Sequence, residues 1–158
     1  MDHFPEGLWE EVTFLGNVNM EHDVEISSKE GIYGAFILEK LMKRLKETKN
    51  ALQVDTLLLA LTLDPVVLVY HRLVVDGFKR IINLVKDFVS EKVGMVSLFE
   101  INEETGIKVA AHGLGHNLGL SHHLEPVDLM YIGLLNGSKL EKDGFCSSCN
   151  KKLNRLIN

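Results

Sequence analysis

At 158 residues, with 46% hydrophobic and 25% charged side chains, the chain has the length and composition of one soluble globular domain, expected to span residues 1–158. A formal net charge of −5, with no run of lysine and arginine, argues against a nucleic-acid or anionic-membrane surface. The most apolar stretch, Val54 to Val75, is broken by Asp55, Asp64, Pro65, His71 and Arg72, so no run reaches the ~20 apolar residues that cross a bilayer.

The opening MDHFPEGLWEE has neither the basic nor the apolar part of a secretory leader, and a cytoplasmic protein is the expectation. Residues 1–10 look loosely held, and Glu11 to Leu15 reads as a first strand. Ser27-Ser28 offers an N-cap for a helix over 29–46, in which Leu38, Leu41, Met42 and Leu45 follow helical spacing. Val54 to Leu63 and Val66 to Tyr70 are valine- and leucine-rich, and with Asp64-Pro65 between them they read as two strands, or one strand and its turn, substantially buried. Phe78, Ile81, Ile82, Val85, Phe88 and Val89 trace one face of a second helix. Met95 to Ile101 alternates as a strand does.

Thr105 to Leu118 is predicted as a third helix, with Ile107, Ala111, Leu114 and Leu118 as its core-facing stripe. A last helix follows Cys146, with Leu153, Leu156 and Ile157 turned inward. Helices interleaved with short strands imply an α/β domain with a mixed, mostly parallel sheet.

The third helix runs into HGLGHNLGLSHH, residues 112–123, which holds four of the seven histidines. His112 and His116 stand one helical turn apart on one face, so both rings can address one ion. Gly119 supplies a residue that tolerates the left-handed turn ending a helix, and His122 follows three positions later. Three protein ligands leave zinc an open fourth position, the form of catalytic rather than structural sites. His3, His22 and His71 have no such company and receive no role. Cys146 and Cys149, the only cysteines, form a C-x-x-C that reads as half a metal site or a redox pair.

His112, His116, Gly119 and His122 resemble the metzincin zinc-peptidase pattern H-E-x-x-H-x-x-G-x-x-H, with Gly113 in place of the glutamate. Met130 matches the methionine of the Met-turn beneath such a site. The downstream part is similar to the archaemetzincins, in which the third histidine is followed by C-x4-C-x-M and later by C-x-x-C. Here His123 and Asp128 stand at the two cysteine positions before Met130, and Cys146 and Cys149 come about two residues early. The motif-level likeness covers residues 95–153 and is vaguer before them.

The resemblance implies a single zincin-like domain with its active-site helix at about 105–118 and a zinc-knuckle-like part at about 123–158. It also implies two zinc ions. One is held by His112, His116 and His122, and a structural one by His123, Asp128, Cys146 and Cys149. It implies that Met95 to Ile101 forms the edge strand along which an extended peptide or protein partner pairs.

Other readings of these residues stay open. His123 could orient a ligand of the first centre, Asp128 could be a turn residue after Pro126, and Met130 could be core filler. Tyr131 could stabilise an oxyanion or simply pack.

Glycine at 113 leaves the usual general-base position without a side chain, so peptide hydrolysis should be weak or lost. Glu100, Glu103, Glu104 and Glu125 are the carboxylates near enough in sequence to substitute, with Glu125 just beyond the third ligand. The alternative is a non-catalytic relative that keeps its metals and binds a peptide or partner. A zinc hydrolase acting on something other than peptides is a third class.

Overall fold

The computed structural model describes residues 3–53 and 55–157. The chain divides into two compact units, one of residues 21–100 and the other of the residues up to Met20 together with those from Ile101 onward. Among the described residues no helix is long and apolar enough to cross a membrane.

The unit of residues 21–100 begins with β1 (Val24–Ser27) and β2 (Ile32–Ile37), an antiparallel hairpin with Val24 opposite Ala35. Helix α1 (Leu38–Ala51) follows directly, then β3 (Leu58–Thr62), β4 (Val66–Val74), β5 (Gly77–Leu84), β6 (Asp87–Ser90) and β7 (Val93–Ser97). The strands form two mixed sheets, ordered β1-β2-β4-β5 and β3-β7-β6. The core gathers Phe36, Leu41, Met42, Leu45, Val66, Val67, Met95 and Val96.

The class is α/β, as expected, but the sheets are not mostly parallel. β1–β2, β4–β5 and β6–β7 pair antiparallel, while β2–β4 and β3–β7 pair parallel. The antiparallel pairs follow from short connections, which can join only antiparallel neighbours. Val74 faces Gly77 and Ser90 faces Val93, so each of these hairpins turns in two residues.

Three local expectations are corrected. The second helix does not exist: its residues lie on β5, in the connection after it and on β6. The turn at Val75-Asp76 sends the chain back, so Phe78, Ile81 and Ile82 pair with Leu73, Tyr70 and Val69. The helix expected over 29–46 begins only at Leu38, because Ile32–Ile37 is held in the sheet and the Ser28 hydroxyl instead accepts the Glu30 N–H across a turn. Residues 11–15 form no strand, and Val12 and Phe14 stand exposed; alternation alone supplies no neighbour to pair with.

Leu38, Leu41, Met42 and Leu45 are buried as expected. The two strands expected on either side of Asp64-Pro65 are β3 and β4, and the anticipated start at Val54 lies outside the described residues.

The strand expected over 95–101 runs Val93–Ser97, and it lies between β3 and β6. It is therefore no edge strand. Within the described residues the edges of this sheet are β6 and β3. The sequence does not announce β6, because Phe88 and Val89 also fit a helical period.

In the other unit, α2 (Glu103–Asn117) starts where the Asn102 side chain accepts the Thr105 N–H at 2.9 Å, an N-cap with Glu103 and Glu104 favourably placed in the first turn. Its buried positions are Gly106, Val109, Ala111, His112, Gly113 and Gly115. Ile107, expected inside, is 65% exposed. Glycines and a histidine weigh little in a hydropathy pattern, so the expected stripe is off by part of a turn.

A 3-10 turn covers Ile132–Asn136, and α3 (Ser147–Asn154) begins with the Cys146 sulfur capping the Cys149 N–H. Leu153 is fully buried, whereas Leu156 and Ile157 are exposed. The N-terminal residues are better held than expected from Phe4 on, since that ring packs on Trp9 and on Phe145.

Candidate metal centres

The first centre is assembled from α2 and the turn after it. Helix α2 ends at Leu118, Gly119 takes φ +82°, and the Leu120 N–H returns to the Gly115 carbonyl at 2.9 Å. His122 thereby faces the end of the helix. The Nε2 atoms of His112 and His122 are 3.1 Å apart, those of His116 and His112 3.1 Å, and those of His116 and His122 2.9 Å. A tetrahedral zinc about 2.0 Å from each nitrogen would set them about 3.3 Å apart. The triangle is already within a few tenths of an ångström of that.

Tautomers follow from the other ring nitrogens. His112 Nδ1 lies 2.6 Å from the Leu129 carbonyl, and His116 Nδ1 lies 2.9 Å from the Leu120 carbonyl. A carbonyl only accepts, so each Nδ1 carries the proton and each Nε2 turns a lone pair toward the other rings. Lone pairs at this spacing repel one another, and a cation among them converts that repulsion into coordination. His112 is fully buried, whereas His122 lies at the exposed rim.

Met130 is fully buried under α2. A Cβ at Gly115 would lie 2.6 Å from its sulfur and 3.4 Å from Leu120 Cδ1, so the glycine admits the methionine to the back of the helix. Gly113 is buried on the same helix and places no side chain beside His112.

Of the four glutamates near in sequence, none belongs to the cluster of the three imidazoles. Glu125 is exposed and belongs to neither metal-ligand cluster. Glu103 and Glu104 occupy the first turn of α2, about 12–14 Å along the axis from His112 at 1.5 Å per residue. Glu100 belongs to the other unit, where its charge acts on Lys86. The Tyr131 ring lies against the bare Cα of Gly133, where a Cβ would overlap it, and so packs locally.

The second group joins His123, Asp128, Cys146 and Cys149, with candidate donor atoms all within 4.8 Å of one another. His123 is fixed by its backbone, which donates to the Met130 carbonyl at 2.8 Å and accepts from the Ile132 N–H at 3.1 Å. Its Nε2 is 3.6 Å from Cys149 Sγ. Its Nδ1 approaches Asp128 Oδ1 to 3.0 Å, but out of line for a hydrogen bond, and it is a buried polar atom with no hydrogen-bond partner. Such an orphaned nitrogen beside a carboxylate and two thiols fits a metal ligand.

Asp128 has no exposed surface. Burial alone would raise its pKa, but the Cys146 amide and thiol, the Met130 amide and the His123 charge together hold it below the usual carboxylate value. At Cys149 the balance is opposite: burial first, then the Asp128 charge and Cys146, push the thiol up to about 12. A thiolate at Cys149 beside the buried Asp128 carboxylate calls for a compensating charge. A divalent cation would supply it, and two thiolates, an imidazole and a carboxylate make an ordinary zinc donor set. Both cysteines are free thiols.

The residues the sequence singled out are thus brought together in two groups, both compatible with zinc. The structure adds the carbonyls of Leu120 and Leu129 to the first group. No motif could have shown them, because a backbone acceptor has no residue identity. Of the remaining histidines, His22 stacks on Phe36 and pairs with Asp64, and His71 sits opposite Arg80 on the β4–β5 hairpin.

No family model, no curated protein and no solved structure matches this chain.

Proposed function

We propose that the chain is an archaemetzincin-like zinc metallopeptidase relative whose hydrolytic step is weak or lost. The observation that carries the reading is the convergence of three Nε2 atoms at 2.9–3.1 Å, with two of the rings locked by backbone carbonyls. Three imidazoles make the donor set of a catalytic-type centre. The four-ligand group of cysteines, histidine and aspartate makes a closed, structural one.

Zinc at the first set would supply Lewis acidity toward water and toward a carbonyl. The chain's own contribution is uneven. His112 and His116 are pre-oriented by Leu129 and Leu120, which supports tight binding. Position 113 offers nothing to take a proton from water or pass it to a leaving amine, and such a group is typically worth about 10²–10⁴-fold in rate. The burial of Gly113 on the ligand helix therefore favours a second reading, a non-catalytic pseudopeptidase that binds a peptide or protein partner.

The test combines metal analysis of the purified chain with cleavage of a mixed peptide library by the native protein and by Gly113→Glu. Two bound zinc ions, negligible native cleavage and a rise of about 10²-fold or more in the variant are expected. Efficient native turnover that Glu125→Ala abolishes would overturn the assignment of a lost base.

A further inference from the structure

Asp128 reaches further than a ligand of the second group needs to. Its Oδ2 accepts the Cys146 N–H at 2.9 Å and its Oδ1 the Met130 N–H at 2.9 Å, with His123 Nδ1 3.0 Å from Oδ1. Its backbone carbonyl accepts the Tyr131 N–H at 3.0 Å, which closes the turn holding Leu129 and Met130. The next carbonyl, that of Leu129, is the one that fixes His112 at 2.6 Å. One buried carboxylate thus ties the start of the C-x-x-C to the peptide that orients a ligand of the other centre. The chain ties them again, since His122 and His123 are consecutive and serve different groups.

We propose that Asp128 is a positioning residue shared by both centres, and that filling the thiolate centre tightens binding at the histidine centre. This rests on the metal-binding reading above. Order at Cys146 fixes the Asp128 carboxylate, the carboxylate fixes the 128–131 turn, and the turn fixes the Leu129 carbonyl against His112. Partners that orient a ligand in this way typically change metal affinity by about 10–100-fold. The coupling is reciprocal, so cobalt at the histidine centre tightens the thiolate centre by the same factor.

Metal-free full-length protein with reduced cysteines would be loaded with one equivalent of Cd²⁺, which prefers thiolates. It would then be titrated with Co²⁺, followed through visible ligand-field bands that lack thiolate charge transfer. The expected result is Co²⁺ affinity about 10–100-fold higher with Cd²⁺ than without it. In Asp128→Asn, Cd²⁺ should no longer change the Co²⁺ affinity, while circular dichroism stays native. If this variant does not fold, the titration of the native chain decides by itself.

Co²⁺ affinities within about twofold of each other with and without Cd²⁺, well short of the coupling expected from an orienting partner, would overturn the coupling and leave both centres standing. If Co²⁺ produces no thiolate-free spectrum under either condition, the histidine centre itself fails, and the coupling fails with it.

Discussion

Gly115 shows how one missing side chain shapes the first centre. In a helix interior, glycine is less favourable than alanine by about 1 kcal/mol, so Gly→Ala there usually stabilises. Here the new methyl would sit 2.6 Å from the sulfur of fully buried Met130. Overpacking a core typically costs about 1–3 kcal/mol. Gly115→Ala is therefore expected to lose about 1 kcal/mol net, read as a lower urea midpoint with unchanged slope. Its metal affinity should fall too, because the displaced Met130 adjoins the carbonyl that holds His112. A higher midpoint would mean that the sulfur shifts freely and that the glycine serves no packing purpose.

At this scale the clustering of the candidate ligands is legible in the sequence and their supports are not. An i, i+4 pair and a turn glycine announce the converging rings, and His123 and Asp128 stand at the positions given by the resemblance. The Leu129 carbonyl has no signature. Ile107 reads as inward only because the true buried face is built of glycines, small residues and His112.

Elements are harder to read, and the entrance to α1 shows why. The cap expected from Ser27-Ser28 is unused, and N-cap Ile37 has no side chain to offer. Its N–H instead donates to Asp23 Oδ2 at 3.0 Å, across fourteen residues, while Asp23 Oδ1 meets Arg44 at 2.6 Å and Lys40 at 3.6 Å. A local pattern cannot show a cap supplied from the preceding hairpin. The second helix fails for a related reason. A helical period and a strand of β-branched and aromatic residues look alike over six positions, and the Val75-Asp76 turn leading into Gly77 decides between them.

Asp23 also carries a pH prediction. Burial works to raise its pKa, but the Ile37 N–H, the Arg44 hydrogen bond and charge, and Lys40 outweigh it and leave the pKa lowered. A depressed folded pKa adds stability above the unfolded value of about 3.9, and that stability is lost as pH falls through the folded value. Asp23→Asn should cost about 1.5–3 kcal/mol at about pH 7, the range for hydrogen bonds to a charged group. In urea unfolding the gap to the native chain should narrow as pH drops below about 4. A gap of constant width would show that the charge contributes nothing.

At the scale of the whole chain, the metal-binding reading predicts that the two units depend on metal to different degrees. Residues 21–100 hold β1 to β7 and α1 around an apolar core. The other unit has α2, α3 and a short 3-10 turn as its only regular elements among the described residues, with long connections over 118–131 and 137–146. The ligands proposed above, His112, His116, His122, His123, Asp128, Cys146 and Cys149, lie in that second unit, on those connections or on its helices. Metal bonds there would close loops that packing must otherwise order, so that binding free energy would become folding free energy. Chelation under reducing conditions should therefore speed amide exchange over 118–149 by at least about tenfold, or about 1.4 kcal/mol of local opening. Protection of α1, β3 and β7 should hardly change, because no proposed ligand lies on them. Equal acceleration in both units would mean that they open together, and unchanged protection over 118–149 would mean that the loops hold their order without the ions.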